Sequence, residues 1–203
     1  VEAARERDRV LMVGHLLQYH PAIEKLRELV NNDVLGRIEY IYSNRLSMGK
    51  IRREENALWS FAPHDISVIL SLVGQQPFQV TATGGAYLQP NIADVTVSNL
   101  LFDRGTRAHI FVSWLHPYKE QRLVVIGSRQ MAVFEDSRPD HKLMLFNKQI
   151  ELKNGNFEAV KPEGTPVEID KTEPLLLECR HFLECVARQH PPRTPGEEGV
   201  RVL

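Results

Sequence analysis

Seven β-rich segments follow one another between residues 80 and 152 with no helical periodicity among them, and this run restricts the fold more than any other feature. Residues 80–86, 95–102, 108–115, 122–126, 131–134, 143–146 and 149–152 are rich in β-branched and aromatic side chains, which suit a pleated, half-buried surface. Asp103-Arg104-Gly105, Asn147-Lys148 and Asn154-Gly155 are turn signals between them. Strands joined by turns rather than crossover helices pair antiparallel. The expectation is an α+β chain built on one large, mostly antiparallel, open-faced sheet with helices on one face.

Those helices are sought on either side of the β-rich tract. Ile23, Leu26, Leu29 and Val30 mark one apolar helix face from Pro21 to about Asn32, and residues 38–46 read as a strand. The stretch Asn56 to Gly74 is the second helix. Ile66, Ile69, Leu70 and Val73 share one face, Ser60 and Pro63 suit its start, and Gly74 suits its end. At about 100° per residue, His64 projects opposite that stripe with Ser67 and Ser71. A first-turn position would disfavour the imidazolium and leave a neutral His able to accept a proton, or merely a His that bonds a neighbouring loop. Residues 174–190 form a third helix offering Leu176, Cys179, Phe182, Leu183 and Val186, and residues 197–203 begin a fourth. Residues 161–172 are looser, with room for one short strand.

The opening of the chain reads differently. Residues 1–9 resemble the end of a helix, and Val10-Leu11-Met12-Val13 has the unbroken apolar character of a strand buried on both faces, closed by Gly14. This reads as the last helix–strand of a parallel βα array whose other strands are not in the sequence, or as a short edge strand of the same domain. On the former reading, the sheet that residues 10–13 should join is expected to be missing from this chain or supplied by something else, which sets residues 1–14 apart from residues 15–203.

A net charge of −1 leaves no global attraction to nucleic acid or to anionic membrane, and no apolar run is long enough to span a bilayer. The charged opening is unlike a signal peptide, and Cys179 and Cys185 fit reduced, buried thiols, so a cytoplasmic setting is expected. No metal-ligand spacing, nucleophile elbow or phosphate-loop lysine is present, and Gly84-Gly85 lies late in a strand, where it marks a bulge or a close backbone approach. Lys50, Arg52 and Arg53 are either a solvated loop or a phosphate clamp leading into the His64 helix. Trp59 and Phe61 read as core anchors.

The order VLMVGHLLQYHPA, then a helix, then LGRIEYIYSNRLSMGKIRREENALWSFAPHDISVILSLVG, then strands with SWLHPYKEQRLVVIGS and a final PRTPGEEGVRVL, resembles the Gfo/Idh/MocA oxidoreductases. Within that family it is similar to the nucleotide-sugar 3-dehydrogenases of polysaccharide biosynthesis, which act on UDP-linked N-acetylated hexosamines or their uronates. The resemblance implies that residues 1–14 are the tail of a truncated Rossmann domain, that residues 15–203 are a substrate-binding and dimerisation domain, and that His64 is the catalytic acid or base. It also implies that His15, Gln18, Tyr19, Lys50, Arg52 and Arg53 shape a sugar and diphosphate pocket. It implies NAD or NADP in the full-length enzyme, with none bound to this fragment, which lacks the glycine-rich turn and the Glu-Lys-Pro motif. A homodimer, or a dimer of dimers, through the sheet is implied too. The alternatives are an inositol or simple-sugar dehydrogenase and a non-catalytic, sheet-mediated assembly module.

Overall fold

The computed structural model describes residues 1–147, 150–159 and 162–203. Eight strands form one sheet in the order β10-β7-β6-β5-β1-β4-β3-β2. They are β1 (Ile38–Leu46), β2 (Gln79–Gly85), β3 (Val95–Leu101), β4 (Arg107–Ser113), β5 (Glu120–Gly127), β6 (Gln130–Glu135), β7 (Leu143–Asn147) and β10 (Thr165–Pro166). A separate hairpin pairs β8 (Ile150–Lys153) with β9 (Asn156–Ala159). Every pairing in the large sheet is antiparallel except β1 with β4. The α+β sheet expected from the strand run is therefore present, with boundaries within two residues of those read from composition. The expected turn at Lys148 and the start of the next strand at Gln149 lie outside the described residues, as does Lys161 at the head of the looser segment.

One face of the sheet carries the core. Ile41 of β1, Ala108, Ile110 and Val112 of β4, Leu123 and Val125 of β5, and Ala132 and Phe134 of β6 are buried there with Trp114. Against them lie α2 (Pro21–Asn31), through Ile23 and Leu26, and α3 (Ala57–Val73), through Ala62, Val68, Ile69 and Leu72. Each fully buried aliphatic side chain of this kind contributes roughly 1.5–3 kcal/mol by leaving water.

The helix carrying His64 begins earlier than its sequence predicts. Asn56 Oδ1 accepts the Trp59 N–H at 3.0 Å and caps α3 at Ala57, so Pro63 lies inside the helix and His64 is two turns from its start. Capping by Asn56, four residues before the expected cap Ser60, outweighs the local preference of proline for a first turn. The end is as expected: Gly74 adopts φ 73°, and its N–H reaches the Leu70 carbonyl at 2.9 Å. Trp59, expected in the core, is 53% exposed on the first turn.

Two further expectations change. Residues 10–13 do not form a doubly buried strand. They run extended after α1 (Glu2–Arg5), make one bridge (Met12 with Pro195), and leave Leu11 39% exposed. Their apolar side chains pack instead on α5 (Gly196–Val202), where a Cβ on Gly196 would lie 2.6 Å from Leu11 Cδ2 and one on Gly199 2.8 Å from Val13 Cγ2. Second, α4 (Pro174–Arg188) rests on the 3-10 turn Leu16–Tyr19 rather than on the sheet. It buries Cys185 and Glu178, while Leu176, Leu183 and Cys179 face outward.

Candidate active site

A buried ion pair fixes the helix bearing His64 to the central strand. Alternation along β1 directs Ser43 and Arg45 toward the helices. Arg45 Nε meets Asp65 Oδ2 at 2.6 Å, and Ser43 Oγ donates to Asp65 Oδ1 at 2.7 Å. The Gln121 amide extends the chain: it accepts from Arg45 Nη1 at 3.0 Å and donates to Asp136 Oδ2 at 3.1 Å. Asp136 also contacts His20 Nε2 at 3.3 Å and Lys142 Nζ at 2.6 Å, and these partners hold its carboxyl well below the usual range. His20 Nδ1 in turn accepts the Ala22 N–H at 3.0 Å and caps α2. One polar line thus connects β1, β5, α2 and α3.

His64 stands beside this line but outside it. Neither ring nitrogen makes a hydrogen bond among the described residues; Nδ1 is sealed from solvent, whereas Nε2 is not. Burial lowers its pKa below 6.5, the nearby Arg45 and His15 lower it further, and Asp65 opposes them. The neutrality expected from a helix terminus is therefore produced by desolvation and neighbouring cations, since the field of a helix end fades within its first turn. A neutral imidazole protonated at Nδ1 leaves Nε2 as an acceptor in a buried setting.

The face of α3 that carries His64 and Ser67 is covered by residues 15–20 and by α5. His15 meets His64 edge to face, with ring centroids 6.1 Å apart. Its Nε2 lies 3.2 Å from Glu198 Oε2 without the alignment of a hydrogen bond, and burial lowers its pKa against the pull of that carboxylate. Ser67 Oγ donates to Glu198 Oε1 at 2.5 Å and accepts from Gln18 Nε2 at 2.8 Å. Ser67 lies on the His64 face by helical spacing, whereas Glu198 has no sequence signal as a site residue, because α5 joins α3 only through tertiary packing.

The remaining expected positions separate. Gln18 lies next to this cluster, with its side-chain oxygen taken by Arg27. Tyr19 is buried, its hydroxyl bonded to Thr194 Oγ1 at 2.9 Å and its ring under the Arg193 guanidinium at 4.9 Å. Lys50, Arg52 and Arg53 are exposed on the loop before α3, where Arg52 Nε pairs with Glu55 at 2.8 Å. No contact joins that loop to His64 among the described residues.

A dinucleotide pyrophosphate needs glycine backbone N–H groups at a strand-to-helix turn. Three of the glycines are engaged otherwise. A Cβ on Gly84 would meet Thr96 at 2.9 Å and one on Gly85 the Tyr87 ring at 2.5 Å, while Gly14 faces the carboxylate of Glu178. The close approach expected at Gly84-Gly85 is strand against strand, in unbroken register with β3.

The profile of the GFO/IDH/MocA C-terminal domain matches residues 23–133. The chain belongs to this family. Its relatives include the UDP-N-acetylglucosamine 3-dehydrogenase of Acidithiobacillus ferrooxidans, 28% identical over 98% of this chain and 61% of the relative. The inositol 2-dehydrogenase of Rhizobium meliloti is 24% identical over 95% of this chain and 59% of that protein. The chain therefore spans about three-fifths of the length of these relatives. A solved structure of the Acidithiobacillus enzyme superposes with a TM-score of 0.82 at 25% identity, covering 99% of this chain and 61% of the other. Levoglucosan dehydrogenase in complex with NADH and levoglucosan shares the fold, with a TM-score of 0.78 at 16% identity over 99% of this chain and 63% of that one.

Proposed function

We propose that this chain is the substrate side of an NAD(P)-dependent oxidoreductase acting on a nucleotide-linked sugar, in the manner of a UDP-N-acetylhexosamine 3-dehydrogenase. The observation that carries this reading is His64: a neutral imidazole, anchored beside a buried ion pair, with an unbonded Nε2. A sugar hydroxyl donating to Nε2 would lose its proton there as the carbon is oxidised, or regain it in the reverse direction. The nicotinamide supplies the hydride chemistry when the complete enzyme binds it; this chain orients the hydroxyl and handles its proton. His15, held against Glu198, borders the imidazole and narrows its range of orientation. The long relative of matching activity supports the UDP-sugar over a free polyol.

The test is turnover of UDP-N-acetylglucosamine with NAD⁺ or NADP⁺ by the complete oxidoreductase that carries this chain. His64→Asn is expected to lower kcat by about 10²- to 10⁴-fold, the range for one general base, while leaving folding intact. Near-normal turnover by that variant, or turnover of myo-inositol in place of the nucleotide sugar, would overturn the assignment. We propose also that the open face of the sheet joins two copies into a homodimer, because Tyr42, Val124, Met131, Val133, Met144 and Phe146 line one shallow apolar depression there.

A further inference from the structure

We infer that the cleft between α2, the second half of α3 and α5 is an oxyanion site for a phosphate-bearing small molecule, held by Arg27, Arg193 and Arg201. The three guanidinium groups line one cavity of about 470 Å³ together with Gln76 and Ser71. They come from three separate elements, so their convergence is a product of the fold and not of a local charge run.

The charges in this cleft are not balanced from within. Arg193 has a carboxylate partner in Glu24, and it also donates to the Gln18 carbonyl at 2.6 Å. Arg27 bonds only the neutral amide oxygen of Gln18. Arg201 makes no hydrogen bond or ion pair among the described residues. The other carboxylate of the cavity, Glu198, is occupied: Oε1 takes the Ser67 hydroxyl and Oε2 faces His15. Three guanidinium groups thus face two carboxylates, Glu24 and Glu198, and one positive charge remains without a counter-ion among the described residues. Burial and the neighbouring Arg193 both act against the charge of Arg27, and Glu24 only partly offsets them. An anion in the cleft removes that conflict.

Phosphate suits the arrangement better than a carboxylate. A carboxylate occupies one guanidinium fork, whereas a phosphate presents three or more acceptor oxygens and up to two charges to forks arriving from different directions. The volume admits more than one phosphate group. The cleft is distinct from the Lys50, Arg52 and Arg53 loop, where Arg52 is already paired with Glu55. It adjoins the His64 cluster through Ser67, one turn further along α3, and through Gln18 and Glu198. The site stands whether or not the proposed sugar chemistry is right, because its measurement needs no turnover.

Calorimetric titration of the chain with inorganic pyrophosphate and with orthophosphate tests it. Saturable binding that weakens with added salt is expected, tighter for pyrophosphate. Arg201→Gln alters an exposed, unbonded side chain that folding does not need, and should weaken binding about 10- to 100-fold, the loss of one charged hydrogen-bond donor. Arg27→Gln should do the same. A triple Lys50→Gln, Arg52→Gln, Arg53→Gln variant should bind as the unmodified chain does. Absence of saturable binding, undiminished binding by Arg201→Gln, or loss of binding in the triple variant overturns the proposal. Once pyrophosphate binding is established, displacement by UDP assigns the anion to a nucleotide-linked diphosphate, and failure of UDP to compete assigns it to a free phosphate; both outcomes uphold the cleft as an oxyanion site.

Discussion

Asp65 shows how much one side chain beside His64 can matter without touching any chemistry at the imidazole. Its carboxylate takes the Ser43 hydroxyl and the Arg45 guanidinium in a setting nearly closed to water. Asp65→Ala leaves Arg45 buried with only Gln121 as a partner, and is expected to cost about 3–5 kcal/mol in urea unfolding. A loss below about 1 kcal/mol would mean that Arg45 relaxes to solvent. The sequence placed Asp65 next to His64 but carried no sign of its partner, which lies on another strand. His64 itself was legible, because helical spacing sets it apart from the apolar stripe. The reason for its neutrality was not, since Pro63 masked a helix start belonging to Asn56.

At the scale of elements, strand identity was written locally and helix docking was not. Alternation along residues 107–113 is enough to mark β4, whereas nothing in Leu176 or Leu183 says that α4 will lie on a short turn and leave them exposed. Residues 10–13 make the same point: nothing in that apolar run announces that Leu11 and Val13 will lie against Gly196 and Gly199 of α5. A third glycine joins α2's loop to the sheet. Gly127 ends β5 beneath the Leu35 carbonyl, and a Cβ there would stand 2.0 Å from that oxygen. The obstacle is backbone, so Gly127→Ala is expected to destabilise by about 1–3 kcal/mol, read as a lower denaturant midpoint with unchanged slope. An unchanged midpoint would show that the loop moves freely away.

For the molecule as a whole, histidines set the response to acid. His15, His64, His109 and His181 are all held below 6.5, each chiefly by burial. With a folded pKa below the unfolded one, the unfolded chain binds more protons in the window between them. The stability contributed is therefore complete above about pH 6.5 and is lost as pH falls through the folded values. Glu178, raised by burial, acts in the other direction, as a single group. The melting temperature should drop between about pH 7.5 and about pH 5.5, and His64→Asn should flatten that drop. A melting temperature that rises on acidification would contradict the assignment. The proposed dimer is tested at the same scale. Light scattering at micromolar concentration should give twice the chain mass, and Val133→Glu, on the apolar face of the sheet, should halve it. A monomeric unmodified protein would remove the proposal.

The one parallel pairing has a further consequence, for the order in which the chain can assemble. β1 occupies the middle of the sheet, where Ser43 is flanked by Ile110 on one side and Leu123 on the other. The strands β2 to β4, and separately β5 to β7, can zip through neighbouring turns, but β1 is made first and finds both partners only much later in synthesis. Until then two half-sheets carry bare edges facing the slot that β1 will fill, and β1 itself has no neighbour. Closing that slot joins segments far apart in the chain in a single event, which makes it the slow passage and the moment of greatest vulnerability to association with other nascent chains.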